Sequence, residues 1–462
     1  MGHRRLTPIG GIVAGGALLL AGAASAFADE SGTAARLLEE IEALRRSQND
    51  LMTKVELQQR RITELEASAA VPQEGGDASL SKQIEDYLKG GMPTKKGSRF
   101  KFYGFLRLDA IWDDSMPSNT QTIGWVRSED PTVPGGVSKN RGDFTMHPRL
   151  TRFGFDLDGG KLADLGDAKV TGKLEIDFYN NGLSGQSESR AALRMRHAFL
   201  TLGWEKDTLL AGQTTDLIAP LWPIVNPDLV NWGAGNLGDR RAQVRWTRNE
   251  KIGNGTLTLA GMAGLTGAQD NQNLDGDGVR DGEASGLPSL QARIGFGAPL
   301  DGRTIEMGLW GHRAREKTAA DVGSHGDFSS TALGVDLHFP VTAEIYVKGE
   351  AYVGRNMDDV RGGIFQGVNA AGQEIAAQGG WLEVGFKASK SLTLAAGFSE
   401  DNPDSGDLGV GGRDRNRIWY AAAHWNWDVI ETGVDFMHWH TQFKGQKGGL
   451  DNRVQAYIAY HF

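Results

Sequence analysis

Arginine residues recur at polar positions of segments whose side chains alternate in polarity. Arg194 and Arg196 lie two residues apart, and Arg241 and Arg245 lie four apart, so each pair would face one side of a strand. Guanidinium groups carry a fixed charge and a planar fork of donors that fits carboxylate or phosphate. A ring of them inside an aqueous passage attracts anions. The sequence therefore predicts an anion-selecting constriction formed by Arg152 (or Arg149), Arg194, Arg196, Arg241, Arg245, Arg293 and Arg417.

Acidic side chains occupy the same polar faces and leave a second interpretation open. Arginines that pair with carboxylates across a passage give it mixed charge and no net preference for anions. The formal charge of the whole chain, −9, does not decide between the two, because selectivity depends on the local field. The candidate partners are Asp109, Glu175, Asp177, Glu306, Glu344, Glu350, Glu383 and Asp435.

A glycine-rich acidic segment offers alternating oxygen ligands of the kind that bind calcium. Its candidate ligands are Asp275, Asp277 and Asp281. The segment does not match an EF-hand, because counting Asn273 as the first ligand places Ala284, not glutamate, at the twelfth position. Two hypotheses stay open: a structural calcium site, and a hydrated acidic loop that binds no metal.

No spacing of nucleophile, base and acid in the sequence indicates catalysis. His438 and His440 flank Trp439 without a nearby acidic ligand, which is more typical of an interfacial position than of a metal site. Neither a Ser-His-Asp arrangement nor a phosphate-binding loop stands out. We therefore predict that the protein is not an enzyme and needs no cofactor apart from the possible calcium.

The elements that must position these side chains are strands. In the first of them Phe102, Leu106 and Trp112 share one face, while Arg107 and Asp109 lie on the other. Similar segments follow as far as the carboxy terminus. Hydrocarbon offers backbone groups no partner, so such strands must close into a barrel that is apolar outside and polar inside. Residues 99–462 therefore predict an all-β fold, a transmembrane antiparallel barrel of about sixteen strands, with a soluble sandwich or propeller as the alternative.

Two parts of this pattern need separate explanations. Short connections alternate with long ones, and the long connection Asp216–Asp239 contains Pro220, Trp222 and Pro223, which make it too apolar and stiff for a solvated loop. We predict that it folds into the channel. Between Trp419 and Trp427 both faces are apolar, which predicts a β-bulge or a misplaced strand boundary.

The amino terminus has the features of an export signal. Arg4 and Arg5 precede a weakly apolar stretch, and the small residues Ala26 and Ala28 favour cleavage before Asp29, so residues 1–28 are predicted to be a signal peptide. Beyond that point no apolar run is long enough for a spanning helix. The absence of cysteine removes disulfide frameworks and thiolate metal sites, and the acidic net charge argues against nucleic acid as a partner.

Residues 29–70 contain a heptad pattern that predicts a coiled coil. One helix of this kind, about 50 Å long, cannot bury its own apolar stripe, so self-association follows. Gln48 and Gln58 in the seam leave two and three strands both possible, and a lone helix packed on another surface is the alternative. Residues 71–98 predict a linker with a short amphipathic helix. The apolar seam positions are Leu37, Ile41, Leu44, Leu51, Val55, Ile62 and Leu65.

The chain resembles the DcaP-like porins over nearly its whole length. The resemblance rests on the barrel opening Phe102–Asp109, on Arg194–Phe199 and on the terminal Phe462, together with the signal peptide and the coiled coil. It implies a trimer of sixteen-stranded barrels, passive diffusion, and constriction arginines that favour small dicarboxylates.

These observations favour an outer-membrane porin for small hydrophilic, anionic solutes. Its expected partners are outer-membrane lipid and lipopolysaccharide, other copies of the chain in a homotrimer, and the solutes themselves, with the coiled coil in the periplasm. The alternative is a structural anchor whose coiled coil links the barrel to peptidoglycan or to another periplasmic partner, with conduction incidental.

Overall fold

A computed structural model describes residues 92–93, 98–119, 123–139, 141–178, 191–225, 230–267 and 273–462. The predicted signal peptide, the coiled coil and most of the linker with its helix lie outside these residues, so they stay predictions. In the described part no helix is long and apolar enough to cross a membrane.

The described chain consists almost entirely of strands. Apart from one helical turn, Asp281–Ala284, and two 3₁₀ turns, Ala163–Leu165 and Asp358–Val360, its elements are β1 (Met92–Pro93), β2 (Arg99–Asp113), β3 (Asp143–His147), β4 (Arg152–Leu162), β5 (Ala168–Asp177), β6 (Arg194–Gly203), β7 (Asp207–Thr215), β8 (Arg240–Ile252), β9 (Gly255–Gly264), β10 (Ser289–Leu300), β11 (Arg303–Val322), β12 (His325–Pro340), β13 (Ile345–Arg355), β14 (Ala376–Lys387), β15 (Leu392–Pro403), β16 (Arg413–Trp427), β17 (Ile430–Phe443) and β18 (Gln446–His461).

The strands close into a single antiparallel barrel. Each strand from β4 to β17 pairs with the next one along the chain, and β18 pairs with β2 to close the ring. The short β1 lies beside the start of β2, while β3 and β4 pair with successive halves of β2 and so act as one interrupted strand. With β1 set aside and β3 and β4 counted as one, the wall has sixteen strands, which confirms the predicted fold of the barrel.

The polarity of the wall is that of a barrel in lipid. On β2, Leu106 and Trp112 point outward and are 53% and 47% exposed, whereas Asp109 and Asp113 point inward and are fully buried. The other strands repeat this arrangement. An apolar exterior around a polar interior is the reverse of a soluble sandwich, which must bury its apolar faces against each other. The soluble alternative is therefore excluded.

Connections at one end of the barrel are short, and we call this the short-turn end; the opposite, long-loop end carries the long connections. Two connections at the long-loop end are nevertheless tight, because β11 extends to Val322 and β17 to Phe443. Residues 313–330 belong to β11, to β12 and to the tight turn between them. There the outward side chains are charged, as at Arg313 and Arg315, while Ala314 and Glu316 are buried inside, so the alternation continues without an apolar outer face.

The bulge predicted between Trp419 and Trp427 is absent. β16 pairs with β17 in continuous register from Arg415 to Trp427, and the shift lies earlier, between Arg413 and Arg415. Both faces are apolar for another reason: Trp419 faces outward, while Tyr420 faces inward and packs in an apolar cluster with residues of the connections after β2 and β7.

Candidate pore constriction

The long connection after β7 folds into the barrel, as predicted. Its described parts, 216–225 and 230–239, contact the inner wall. The N–H of Leu221 donates to Glu350 Oε1 at 2.8 Å, and the N–H of Ile224 donates to Glu383 Oε2 at 2.7 Å. Both carboxylates face inward from β13 and β14, so they hold the backbone of the loop across the lumen. We call this connection the inserted loop.

Arg241 fastens both ends of the inserted loop and does not line the lumen. Its guanidinium is fully buried and donates to Asp216 at 2.6 and 3.1 Å, to Asp359 Oδ2 at 2.7 Å, and to the carbonyl oxygens of Leu265 and Asp359. A guanidinium group whose N–H donors are all engaged in this way has none left to bind a solute. Arg241 is therefore not a constriction residue, contrary to the prediction. Asp216 and Asp359 are buried where the loop meets the wall, and two buried carboxylates need a cation to pair with, which Arg241 supplies.

Two further connections from the long-loop end pack against the inserted loop. Ile123 and Val126, from the connection after β2, join Val225 and Ala234 of the inserted loop in one apolar cluster on β16 and β17. The connection between β13 and β14 adds Val360 and Met357 to a second cluster. Together they fill the part of the lumen next to β12–β17 at this level. A cavity of about 440 Å³ remains beside the inserted loop.

Four arginines form a basic wall on one side of this cavity region. Arg194 binds Asp177 through two hydrogen bonds of 2.8 and 2.6 Å. Arg196 contacts Glu175 at 2.6 Å and Asp177 at 3.0 Å, and Arg152 lies 3.5 Å from Glu175. Arg240, described below, is the fourth member. Because the two carboxylates are shared among these guanidinium groups, positive charge exceeds negative charge on the wall.

A β-bulge produces the close spacing of this wall. Glu175 pairs with His197 and Ile176 pairs with Met195, so Arg196 is an extra residue in β6. The bulge lets Arg196 and His197 both reach the lumen although they are neighbours in sequence. Met195 points outward and is 50% exposed, which keeps the outer face apolar.

Arg240 belongs to the same wall, and the sequence reasoning missed it. Strict alternation from Arg241 placed Arg240 on the outer face, but it stands where the inserted loop enters β8 and lines the cavity with Arg152 and Arg196. Its Nη1 lies 3.3 Å from Asp239, whose other oxygen accepts Arg361 Nη2 at 2.6 Å. The feature of the sequence that could have identified Arg240 is the pair of consecutive arginines directly after the inserted loop.

Two predicted arginines line a second cavity, of about 280 Å³, between the inserted loop and β8–β10. Arg245 Nε donates to Gln243 Oε1 at 3.0 Å, and its Nη2 donates to the carbonyl oxygen of Thr215. Arg293 forms a two-point pair with Asp336 at 2.9 and 2.6 Å. Both side chains face the lumen, but they lie at a distance from the basic wall around Arg196.

The last two candidates do not reach the cavity. Ile418 points inward and is fully buried, so its neighbour Arg417 lies on the outer face of β16, where it pairs with Glu400. The prediction that Arg417 lines the constriction is therefore wrong, because the inward and outward faces of β16 were exchanged at this point. Arg149, the alternative to Arg152, is buried in the break between β3 and β4 and does not line the cavity.

The part of the cavity lining that comes from β2, β17 and β18, beside the basic wall, is aromatic and weakly acidic. The guanidinium of Arg107 stacks over the ring of Tyr457 at 3.8 Å and also binds Asp109. The Tyr457 hydroxyl donates to Glu431 Oε1 at 2.6 Å, and His461 Nε2 lies 3.0 Å from Glu431 Oε2. A solute in the cavity would therefore meet fixed positive charge on one part of the lining and hydrogen-bonding aromatic groups beside it.

The predicted calcium ligands do not converge. Asp275 accepts the backbone N–H groups of Ala319 and Ala320, and these bonds, that of Ala320 first, lower the pKa of the carboxyl. Asp281 accepts the N–H of Leu274 at 3.0 Å, and Asp277 accepts that of Val279. Within the described ranges no group of three acidic, histidine or cysteine side chains could hold a metal. In this arrangement the aspartates organise backbone, which favours the acidic-loop hypothesis over the calcium site.

Solved structures share this architecture. The crystal structure of the outer membrane channel DcaP of Acinetobacter baumannii has a TM-score of 0.64 to this chain at 22% identity, over 81% of this chain and 100% of that one. An anion-selective porin from Comamonas acidovorans gives 0.52 at 9% identity, over 79% and 100%. Salmonella typhi OmpF in complex with daunomycin gives 0.50 at 13% identity, over 80% and 99%.

No protein-family model matches the chain, and no curated protein matches it in sequence. The similarity to the solved structures is therefore one of backbone arrangement, at identities below those that establish shared function. The described residues adopt the fold of the DcaP channel, which confirms at the level of fold the resemblance to the DcaP-like porins.

Proposed function

We propose that the protein is an outer-membrane porin through which small hydrophilic anions diffuse passively. The observation that carries the proposal is the basic wall beside a cavity narrowed by the inserted loop: Arg152, Arg194 and Arg196 share Glu175 and Asp177, and Arg240 adds a fourth guanidinium beside Asp239. Fixed guanidinium charge in a narrow passage raises the local concentration of anions and repels cations.

The apolar exterior supports a location in the outer membrane, because a barrel with such an exterior is stable only in lipid. We place the short-turn end in the periplasm and the long-loop end outside the cell, as in bacterial outer-membrane barrels. The inserted loop then restricts the passage from the external side. The shared fold with two structures described as an outer membrane channel and an anion-selective porin agrees with this assignment.

Small dicarboxylates are the solute class that we propose. The arginines of the basic wall lie on three different strands, so two separate guanidinium forks can engage the two ends of one dianion. The remaining candidates, Arg245 and Arg293, lie deeper beside the inserted loop and extend the basic surface into the second cavity. We leave Arg241 and Arg417 out of the proposed constriction for the geometric reasons given above.

The test is a reversal-potential measurement on the purified protein in planar bilayers under a potassium chloride gradient. Chloride preference, and a block of chloride current by succinate at concentrations that acetate leaves without effect, are the expected results. A reversal potential of the sign that indicates potassium preference would end the proposal.

We also propose that the protein forms a homotrimer. The wall from β5 to β9 is built of short strands of nine to thirteen residues, whereas β11 and β12 have twenty and sixteen. The wall formed by these shorter strands is suited to burial between copies of the chain. The predicted coiled coil supplies a second surface for association. Mass spectrometry of the native assembly in detergent should give three copies, and a monomer would contradict the proposal.

The structural anchor remains the second candidate, favoured by the heptad seam of residues 29–70. Deletion of residues 31–69 separates the two functions. A porin keeps its conductance without this segment, whereas an anchor loses its attachment to the cell wall. Retention of the barrel with sedimented peptidoglycan after the deletion would exclude the anchor.

A further inference from the structure

Three histidines line the cavity beside the basic wall. They are His197, His424 and His461, from β6, β16 and β18. Histidine is the side chain whose charge ordinarily changes near neutral pH, whereas arginine keeps its charge throughout. The charge around a solute in this cavity is therefore not set by the arginines alone.

Two of the histidines belong to one hydrogen-bonded network across β16, β17 and β18. His424 Nε2 lies 2.8 Å from Asp435 Oδ1, and His424 Nδ1 lies 3.2 Å from the hydroxyl oxygen of Tyr457. That hydroxyl donates to Glu431 Oε1 at 2.6 Å, and Glu431 Oε2 lies 3.0 Å from His461 Nε2. We call these five residues the histidine network. All of them except Asp435 line the cavity.

Gly433 provides the space in which the network forms. It lies on β17 directly opposite His424 of β16 on one side and Tyr457 of β18 on the other. A Cβ atom on Gly433 would stand 2.5 Å from Tyr457 Cε1 and 2.6 Å from His424 Cδ2, which is too close for either ring. The two rings therefore approach each other, with centroids 5.4 Å apart, because no side chain separates them.

The partners of His424 determine how many protons its ring carries. A hydroxyl has one proton, and that of Tyr457 is given to the carboxylate of Glu431, so its oxygen accepts from His424 Nδ1. On the other side of the ring, Nε2 faces Asp435, whose second oxygen accepts Gln455 Nε2 at 3.0 Å. A ring with an acceptor at each nitrogen must donate from both, so the hydrogen-bond partners assign His424 as an imidazolium.

His461 has one acceptor and not two. Its Nε2 faces Glu431, and its ring packs against Phe105 with centroids 5.2 Å apart. A single proton on Nε2 satisfies this contact, so the ring is complete in its neutral form. The side chain is 39% exposed, so water in the lumen reaches it and can deliver a second proton.

The charges of this part of the lining balance except at one position. Arg107, which stacks over Tyr457, is paired with Asp109, and the imidazolium of His424 is paired with Asp435. Glu431 has only the hydroxyl of Tyr457 and a neutral His461 as its recorded partners. A second proton on His461 would therefore cancel the negative charge of Glu431.

The third histidine is placed differently. His197 Nδ1 lies 3.0 Å from Thr214 Oγ1, and its Nε2 lies 3.8 Å from Glu175, a carboxylate that Arg196 already contacts at 2.6 Å. A further positive charge there would add to the fixed charge of the basic wall. The inserted loop contributes only uncharged side chains, Trp222 and Ile224, to the cavity. The other charged groups that line it are Arg152, Arg196 and Arg240.

We propose that His424 and His461 are specificity-determining residues of the constriction, and that through them the preference for anions increases as the pH falls. His424 contributes a positive charge at neutral pH that offsets Asp435. His461 gains a proton on acidification and offsets Glu431. Each proton removes a negative charge from the field that a permeating ion meets beside the basic wall. The inference rests on the proposed function, because it concerns the ion preference of the same cavity.

The first test measures reversal potentials of the full-length protein in planar bilayers under a potassium chloride gradient. The pH runs from about 8 to about 5.5, a range in which histidines titrate while ordinary carboxyl groups stay ionised. One unit charge about 6 Å from the permeating ion changes the ratio of chloride to potassium permeability about three- to fourfold. We expect the wild-type ratio to rise by about this factor on acidification.

The variants separate the two histidines. His461→Gln should abolish the rise, because the titrating group is gone. His424→Gln should lower the ratio about three- to fourfold at about pH 7 and keep the rise, since His461 still titrates. His438→Gln is the matched control, because His438 lies on the outer face of β17, where its Nδ1 is 2.8 Å from Asn452. It should behave as the wild type does.

A second measurement reports the protons of His424 directly and does not depend on conduction. Nuclear magnetic resonance of the full-length protein in detergent, labelled with ¹⁵N-histidine, should show both ring nitrogens of His424 protonated at about pH 7. The signal is assigned by its loss in His424→Gln. A ring with one protonated nitrogen overturns the proposal. A wild-type permeability ratio that does not change with pH also overturns it, as does a rise that survives in His461→Gln or disappears in His438→Gln.

Failure of this inference is distinguishable from failure of the proposed function. A channel that prefers chloride at every pH, with a constant permeability ratio, contradicts only the role of the histidine network. A channel that prefers potassium at every pH, but whose ratio still shifts towards chloride through His461, contradicts only the anion porin.

Discussion

Replacing Arg240 by glutamine is the cleanest perturbation of the basic wall. Asp239, the carboxylate nearest to Arg240, keeps its 2.6 Å contact with Arg361, so the change leaves no carboxylate abandoned at the loop junction. The two carboxylates Glu175 and Asp177 then face three arginines instead of four. The net charge of the wall falls from two positive units to one.

The size of the effect follows from Coulomb's law. One unit charge about 6 Å from a permeating ion in water contributes about 0.7 kcal/mol, and screening at 0.1 M salt reduces this to roughly 0.4 kcal/mol. That energy corresponds to a factor of about two for each ion. Because an anion loses attraction while a cation loses repulsion, the ratio of chloride to potassium permeability should fall about three- to fourfold.

The assay is the reversal potential of single channels, with Arg417→Gln as the matched control. Arg417 carries the same charge on β16 but lies outside the barrel beside Glu400. Its removal should leave the permeability ratio unchanged. The reasoning is refuted if folded Arg240→Gln channels keep the wild-type ratio, or if Arg417→Gln lowers it by as much.

Three other outcomes follow from the same geometry. Arg241→Leu should lower stability by about 3–5 kcal/mol, seen as a lower urea midpoint, because Asp216 and Asp359 are left as buried unpaired charges; an unchanged midpoint would contradict its role as an anchor. Trp222→Ala should raise single-channel conductance without changing ion preference, since an uncharged ring lining both cavities is removed. Added calcium should not slow proteolysis of residues 273–288, and protection would restore the calcium site.

The barrel could be predicted from sequence because its period is simple. On β2 and β18 every apolar residue at an outward position meets lipid, so the rule of alternation holds without knowledge of other strands. An apolar outer face does not identify the strand at residues 313–330, where the alternation continues but charged Arg313 and Arg315 replace apolar outward residues. Alternation also failed to explain β16, because apolar Tyr420 faces an inserted segment that the strand's own sequence does not show.

The candidate site was harder to predict for the same physical reason. Alternation gives the face of a side chain but not what covers that face. Arg241 faces inward as expected, yet the ends of the inserted loop bury it completely. Arg196 reaches the basic wall through a bulge, and Arg240 reaches it where a loop meets a strand. Both are local departures from the period that carried the remaining predictions.

The inserted loop and the basic wall are two parts of one arrangement. Backbone N–H groups of the loop are held by Glu350 and Glu383, so these two carboxylates are engaged by the loop on the far side of the lumen. Arg241 occupies Asp216 and Asp359 in the same way. Carboxylates that could have balanced the arginines of the basic wall are thus used to hold the loop. The inserted loop therefore narrows the passage and, by engaging these carboxylates, leaves positive charge beside it. For this reason, the width of the passage and its preference for anions should change together only when the contacts of the loop with these carboxylates are broken.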